Sequence, residues 1–296
     1  MSFEPVLDVG AKLGECPVWS AEQGLLYWVD IDGCAVHAFD PIAGTDRGWP
    51  LAVRPATIAL TADPSRLLVA AENELAWLDL DSGSLTSWVT LEEPQEGVRL
   101  NDGRCDPAGR LWVGGMYVPT SAMRFDAFLH RVEPDGSFTT VRDEVGCANG
   151  LAFSPDGTVM YWADTLHSTV WAYDYDVASG EPSNERVFLD FEPLPGRPDG
   201  ACVDEDGCYW IACVGGGAVA RITPRGKVDR VLEFPVVRPT MPVFGGPNLE
   251  TLFVTSIGAR DPEADGPGPH GAIFAMSPGV RGLPEPKFGG LPPVLA

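Results

Sequence analysis

The sequence predicts an all-β fold, a six-bladed β-propeller whose blades are four-stranded antiparallel sheets. Two observations carry this. A turn followed by a short apolar strand recurs six times, and no stretch sustains apolar residues at the i, i+3, i+4, i+7 spacing of a helix. The repeats are "SAEQGLLYWVD" (20–30), "DPSRLLVAA" (63–71), "DPAGRLWVGG" (106–115), "SPDGTVMYWAD" (154–164), "DEDGCYWIAC" (204–213) and "GPNLETLFVTS" (246–256).

Each repeat is followed by a second alternating strand and another turn, as in "ELAWLDLDSG" or "TVWAYDYDVASG". With Trp28, Val69, Trp112, Trp162, Trp210 and Phe253 as equivalent positions, the steps are 41, 43, 50, 48 and 43 residues. That is the period of a four-stranded propeller blade. The N-terminal "PVLDV" (5–9) has strand character but precedes the first repeat, so it is expected to complete the sixth blade and cover its edge. Residues 1–296 are therefore expected to form one propeller domain.

Composition fits this reading. Hydrophobic residues make up 45% of the chain, and 34 Gly and 28 Pro are spread along it, as many tight turns require. Lys and Arg number 20 against 42 Asp and Glu, a formal charge of −22. Such a surface repels phosphate backbones and anionic headgroups, which argues against nucleic-acid and membrane partners. It also leaves room for a cation where acidity converges. The seven cysteines (16, 34, 105, 147, 202, 208, 213) form no CxxC pair, and several sit in strand-like runs. Buried free thiols in a reducing, cytoplasmic setting are expected rather than a disulfide framework or zinc site. The chain is expected to be a monomer or weak homo-oligomer.

The repeat serves as a ruler. Upstream of each turn lies the blade's innermost strand, whose first residue should face the mouth of the channel. Counting back eight residues from the last residue of each turn gives Thr57, Asn101, Asn149, Asp199 and Thr240. In the first blade, where the turn is one residue longer, the count gives Glu15. Four of the six positions carry a carboxylate or amide. Asn149-Gly150 and Asp199-Gly200 are also hairpin-turn dipeptides, but each blade has its own turn signal a few residues later, and Glu15 lies in no such pair. Two carboxylates and two amides make an oxygen-only site of charge −2, suited to a hard divalent cation such as Ca²⁺, Mg²⁺ or Mn²⁺.

The segments "GECPVW" (14–19), "RLNDGRCDPAGRLWVGGM" (99–116), "CANGLAFSPDG" (147–157), "PDGACVDEDGCYWIA" (198–212) and "FGG" (244–246) resemble the SMP-30/gluconolactonase/luciferin-regenerating enzyme family. That family includes regucalcin and bacterial sugar lactonases. The resemblance implies that Glu15, Asn149 and Asp199 are metal ligands and that Arg99 and Asn101 bind substrate. It places Asp102 close behind the site. It implies one divalent cation, Ca²⁺ foremost, with Mn²⁺, Mg²⁺, Zn²⁺ or Fe²⁺ as alternatives.

The implied activity is hydrolysis of a sugar lactone, an aldono-1,4- or 1,5-lactone, to its aldonic acid. Asp199 is the candidate general base. The alternatives are a metal-dependent esterase, organophosphatase or non-sugar lactonase on the same site, and a non-catalytic calcium-binding propeller. One departure from the family pattern stands out. Several members carry a glutamate that contacts sugar hydroxyls at a position aligning near Met123, and "YVPTSAMRFDAFLH" has no carboxylate before Asp126. His130 and His167 are expected to be structural filler, as are the nine tryptophans at repeat-strand positions.

Overall fold

Inner strands built from "PATIAL" or "ANGLAF" have no polar face to offer solvent, and in the structure they are buried along their whole length. The computed structural model describes residues 2–91 and 95–292. It holds six four-stranded antiparallel sheets. Their innermost strands are Gly14–Ser20, Pro55–Leu60, Val98–Cys105, Ala148–Phe153, Arg197–Val203 and Pro239–Gly245. Burial fades outward through each blade, so that outermost strands such as Phe138–Val145 and Val228–Glu233 are mostly exposed. Inner strands of successive blades pack side by side, and that of the sixth blade packs against that of the first, closing the ring.

All six equivalent repeat positions, Trp28, Val69, Trp112, Trp162, Trp210 and Phe253, lie in the second strand of their blade and are buried. The closing strand is Glu4–Leu7, which pairs antiparallel with Ile273–Met276, Glu4 facing Ala275. It covers the unpaired edge of the sixth blade as expected. Helix among the described residues amounts to the short turns Thr120–Ala122 and Pro262–Asp265. None of the described helices is long and apolar enough to cross a membrane.

The inner strands share an irregularity that positions everything discussed below. Their pairing with the second strand shifts between Glu15 and Val18, Pro55 and Thr57, Leu100 and Gly103, Asn149 and Ala152, Pro198 and Ala201, and Pro239 and Pro242. Such bulges re-aim side chains and collect beside functional sites. They also explain the Asx-Gly dipeptides. Asn149-Gly150 and Asp199-Gly200 are not hairpin turns but parts of inner strands, crowded by their neighbours. Gly150 has φ +64°, and a Cβ there would lie 2.4 Å from the Tyr209 hydroxyl. A Cβ on Gly200 would lie 2.4 Å from Cβ of Met241 in the adjacent blade. Glycine is required by close approach.

The C-terminal segment crosses the far end of the channel, bridging to Asp204 at Gly282 and to Thr61 at Phe288. Glu285 meets Arg104 there at 3.3 Å. The end at which the inner strands begin carries the candidate site.

Candidate active site

A cavity of about 360 Å³ opens where the inner strands begin, and Glu15, Asn101, Asn149 and Asp199 all line it. Arg99 lines it as well. The two threonines of the six-membered ring do not. Thr57 donates to the Gly103 carbonyl at 3.0 Å and Thr240 to the Gly14 carbonyl at 2.6 Å, each tying its inner strand to the next blade. The ring therefore divides by chemistry into four residues facing the cavity and two stitching the ring.

Hydrogen bonds fix the amides. The Thr165 hydroxyl donates to the Pro198 carbonyl at 2.8 Å, so it accepts from Nδ2 of Asn149, also at 2.8 Å. A hydroxyl has one proton to give, and this chain of bonds sets Oδ1 as the accepting end of the Asn149 amide, where its one side-chain contact is a long 3.5 Å bond from Asn101 Nδ2. Asn101 donates through Nδ2 to the Ala148 carbonyl at 2.9 Å, and its Oδ1 accepts from Arg99 Nη1 at 3.0 Å. Arg99 also donates to the Leu100 carbonyl at 2.7 Å. Ahead of the inner strands of blades one and four sit two buried aspartates at equivalent positions. Asp30 accepts from the backbone of Lys12, Leu13 and Gly33, and Asp164 from Gly146, Cys147 and Leu166. They fix the backbone that presents Glu15 and Asn149.

Electrostatics single out the carboxylates. Burial and the neighbouring Asp102 push the Glu15 carboxyl up to about 8. Asp199 is raised well above the usual carboxylate range by burial, then by Glu15 and Asp102. Neither has an ion-pair partner among the described residues. Two like charges in one desolvated pocket with no cationic side chain bound to them are destabilising unless protonated or neutralised. Asp102 lies outside the cavity lining, accepts from the Leu151 backbone at 3.2 Å, and is raised by its own burial. The site thus offers two carboxylates and an amide oxygen, the donor set of a hard divalent cation. Among the described residues, no three His, Cys, Asp or Glu side chains gather into a metal-holding cluster.

Several lining residues were not legible in sequence. Thr165 orients a ring amide from the end of a different strand. Cys147 also lines the cavity, but burial, ahead of the nearby Asp199, pushes its thiol up to about 12, which removes it as a nucleophile. Asp32, Arg54, Arg238 and Arg260 reach the cavity from loops and strand ends outside the counted ring positions. The histidines play no part. His130 stacks on Phe128 (ring centroids 4.1 Å apart), with burial lowering its pKa to about 4, and His167 bonds Asp164 outside the cavity. From the segment with the missing glutamate, Val118, Pro119 and Thr120 line the cavity, while Met123 is exposed and Asp126 pairs with Arg124. All seven cysteines are free.

Residues 13–258 match the model of the SMP-30/gluconolactonase/LRE-like region, and the chain belongs to this family. Its relatives span nearly its whole length. A 6-deoxy-6-sulfogluconolactonase of Pseudomonas putida is 37% identical, covering 94% of this chain and 95% of its own. An L-arabinolactonase of Azospirillum brasilense is 35% identical over 96% of this chain and 95% of its own. Among solved structures, regucalcin of Agrobacterium tumefaciens, described as a calcium-binding protein, superposes with a TM-score of 0.89 at 29% identity, covering 97% of both chains.

Proposed function

We propose that this protein is a metal-dependent hydrolase of sugar lactones, opening an aldono-1,4- or 1,5-lactone to its aldonic acid. One observation carries the reading. Glu15 and Asp199 are carboxylates without a cationic partner, sharing a cavity with Arg99 and Asn101. A calcium buffer needs the first pair but not the second. The lactonases among the relatives support the substrate class, and the calcium-binding regucalcin supports a divalent cation.

Glu15, Asn149 and Asp199 would hold the cation, which when bound would supply Lewis acidity toward the lactone carbonyl. Arg99 and Asn101 orient the sugar oxygens through the donors that face the cavity. Asp199 takes a proton from water as the water oxygen bonds to the lactone carbon. The bond from that carbon to the ring oxygen then breaks, and the proton returns to the departing alkoxide. The buried floor, including Leu13 and Met116, limits the water that competes at the carbonyl.

The test is proton release from gluconolactone and arabinonolactone by chelated protein, followed by add-back of Ca²⁺, Mn²⁺, Mg²⁺, Zn²⁺ or Fe²⁺. Activity that is absent after chelation and restored by one of these ions is expected. Turnover that survives chelation refutes the mechanism. Metal-dependent stabilisation without turnover of any lactone would leave a non-catalytic metal-binding propeller.

A further inference from the structure

The charge of the cavity runs opposite to that of the chain. Its lining holds four arginines (Arg54, Arg99, Arg238 and Arg260) against three carboxylates (Glu15, Asp32 and Asp199), whereas the whole protein carries more than twice as many acidic as basic side chains. The arginines form a tier. Arg99 and Arg238 lie two residues before the ring positions Asn101 and Thr240, and Arg54 lies three before Thr57. Arg54 and Arg238 are half-buried and Arg260 is exposed, whereas Arg99 is buried as deeply as Asp199. Arg260 joins them from the segment after the second strand of blade six.

Because blade one lies between blades six and two, Arg238 and Arg54 flank the blade that bears Glu15. Arg54 is anchored through Nε and Nη2 on Glu72, both at 2.9 Å, with Nη1 left over. Arg238 is anchored on Asp265. Both are held on one edge only. Arg260 is exposed, and its guanidinium has no carboxylate within ion-pair distance among the described residues. On the other side, Met116, Val118 and Pro119 are apolar, and the 118–126 segment brings no carboxylate to the cavity.

The mouth is consequently richer in donors than in acceptors, the acceptors outside the proposed cation's donor set being the Asp32 carboxylate and the Thr120 hydroxyl. In the proposed reading Glu15 and Asp199 are committed to the cation, and Asn101 Oδ1 accepts from Arg99. A sugar chain ending in a neutral hydroxyl needs acceptors as well as donors. A terminal oxyanion needs donors alone and gains from several guanidinium groups at once. We infer that this cavity selects lactones carrying an anionic group (phosphate, sulfonate or carboxylate) at the end of the sugar remote from the lactone carbonyl, with Arg260 as the contact not otherwise engaged. The inference rests on the lactonase reading for its reaction but not for its binding preference.

The experiment measures binding and turnover on the metal-loaded protein. By calorimetry, 6-phosphogluconate, 6-deoxy-6-sulfogluconate and glucarate are compared with gluconate, which differs only in lacking the terminal anion. At least one is expected to bind about tenfold tighter or more, equivalent to about 1.4 kcal/mol. The advantage is expected to shrink in about 0.3 M salt and to fall at least about threefold in Arg260→Gln, whose exposed side chain makes no fold-bearing contact. Ratios of kcat/KM for the corresponding lactones should follow the same order. Equal or weaker binding of all three anions, or an unchanged ratio in Arg260→Gln, overturns the inference. If no lactone is turned over, the lactonase reading fails while the binding ratios still decide this one.

Discussion

Removing the cation should make the protein less stable as the pH rises, and the size of the effect follows from two side chains. The Glu15 carboxyl is raised from 4.5 to about 8, chiefly by burial and then by Asp102. At pH 7 the metal-free protein therefore keeps this group about nine-tenths protonated. Asp199 is displaced in the same direction. A carboxyl whose folded pKa exceeds its unfolded one stabilises the fold fully below the unfolded value, and that contribution is lost as pH rises through the folded value. For Glu15 the window runs from 4.5 to about 8. The whole shift corresponds to on the order of 5 kcal/mol. Water in the cavity screens part of it, so a loss of about 2–3 kcal/mol between pH 5 and pH 8.5 is expected. In a chain of this length that lowers Tm by about 5 °C.

A bound cation reverses the sign, because it needs both carboxylates ionised. Binding at pH 7 should release about one to two protons, and apparent affinity should climb steeply up to about pH 8. The assays are thermal melts of chelated and loaded protein from pH 5 to 9, and calorimetric titration with metal in two buffers of different ionisation enthalpy. A chelated protein with a flat Tm across this range, or metal binding with no proton release at pH 7, would refute the reasoning.

Three further outcomes test the site and its scaffold. Asp199→Ala is expected to lose at least about a thousandfold in lactone hydrolysis with its circular dichroism preserved, and full activity in that variant sinks the assignment. Thr165→Val removes the hydroxyl that holds the Asn149 amide, so metal affinity should fall about tenfold with unchanged circular dichroism, and Thr165→Ser should restore it; an unchanged affinity would show that Asn149 needs no such support. Deleting residues 2–9 strips the closing strand and Phe3, which packs edge-on against Phe234 at 5.0 Å. A loss of about 3–5 kcal/mol in denaturant unfolding and a tendency to self-associate are expected, and a deletion as stable as the full chain would mean that the strand closes nothing.

The sequence by itself determined the blades. Six turn-and-strand repeats set the period, and buried residues at one position per repeat followed from it because strand alternation is local and survives any arrangement of the sheets. The repeat count also picked out Glu15, Asn101, Asn149 and Asp199, since equivalent positions in a closed ring must converge on its axis. Tertiary structure alone decided the rest. Thr57 and Thr240 satisfy the same count, yet the approach of neighbouring blades turns their hydroxyls to backbone carbonyls. Asn149-Gly150 and Asp199-Gly200 admitted a turn reading beside the favoured ring reading, and packing against Tyr209 and Met241 explains their glycines. Thr165 and Arg260 follow the second strands of their blades, outside the counted positions, and Arg54 and Arg238 precede inner strands whose ring residues are the threonines that turn away from the cavity. Only the closed ring brings them to the cavity where Glu15 and Asp199 meet.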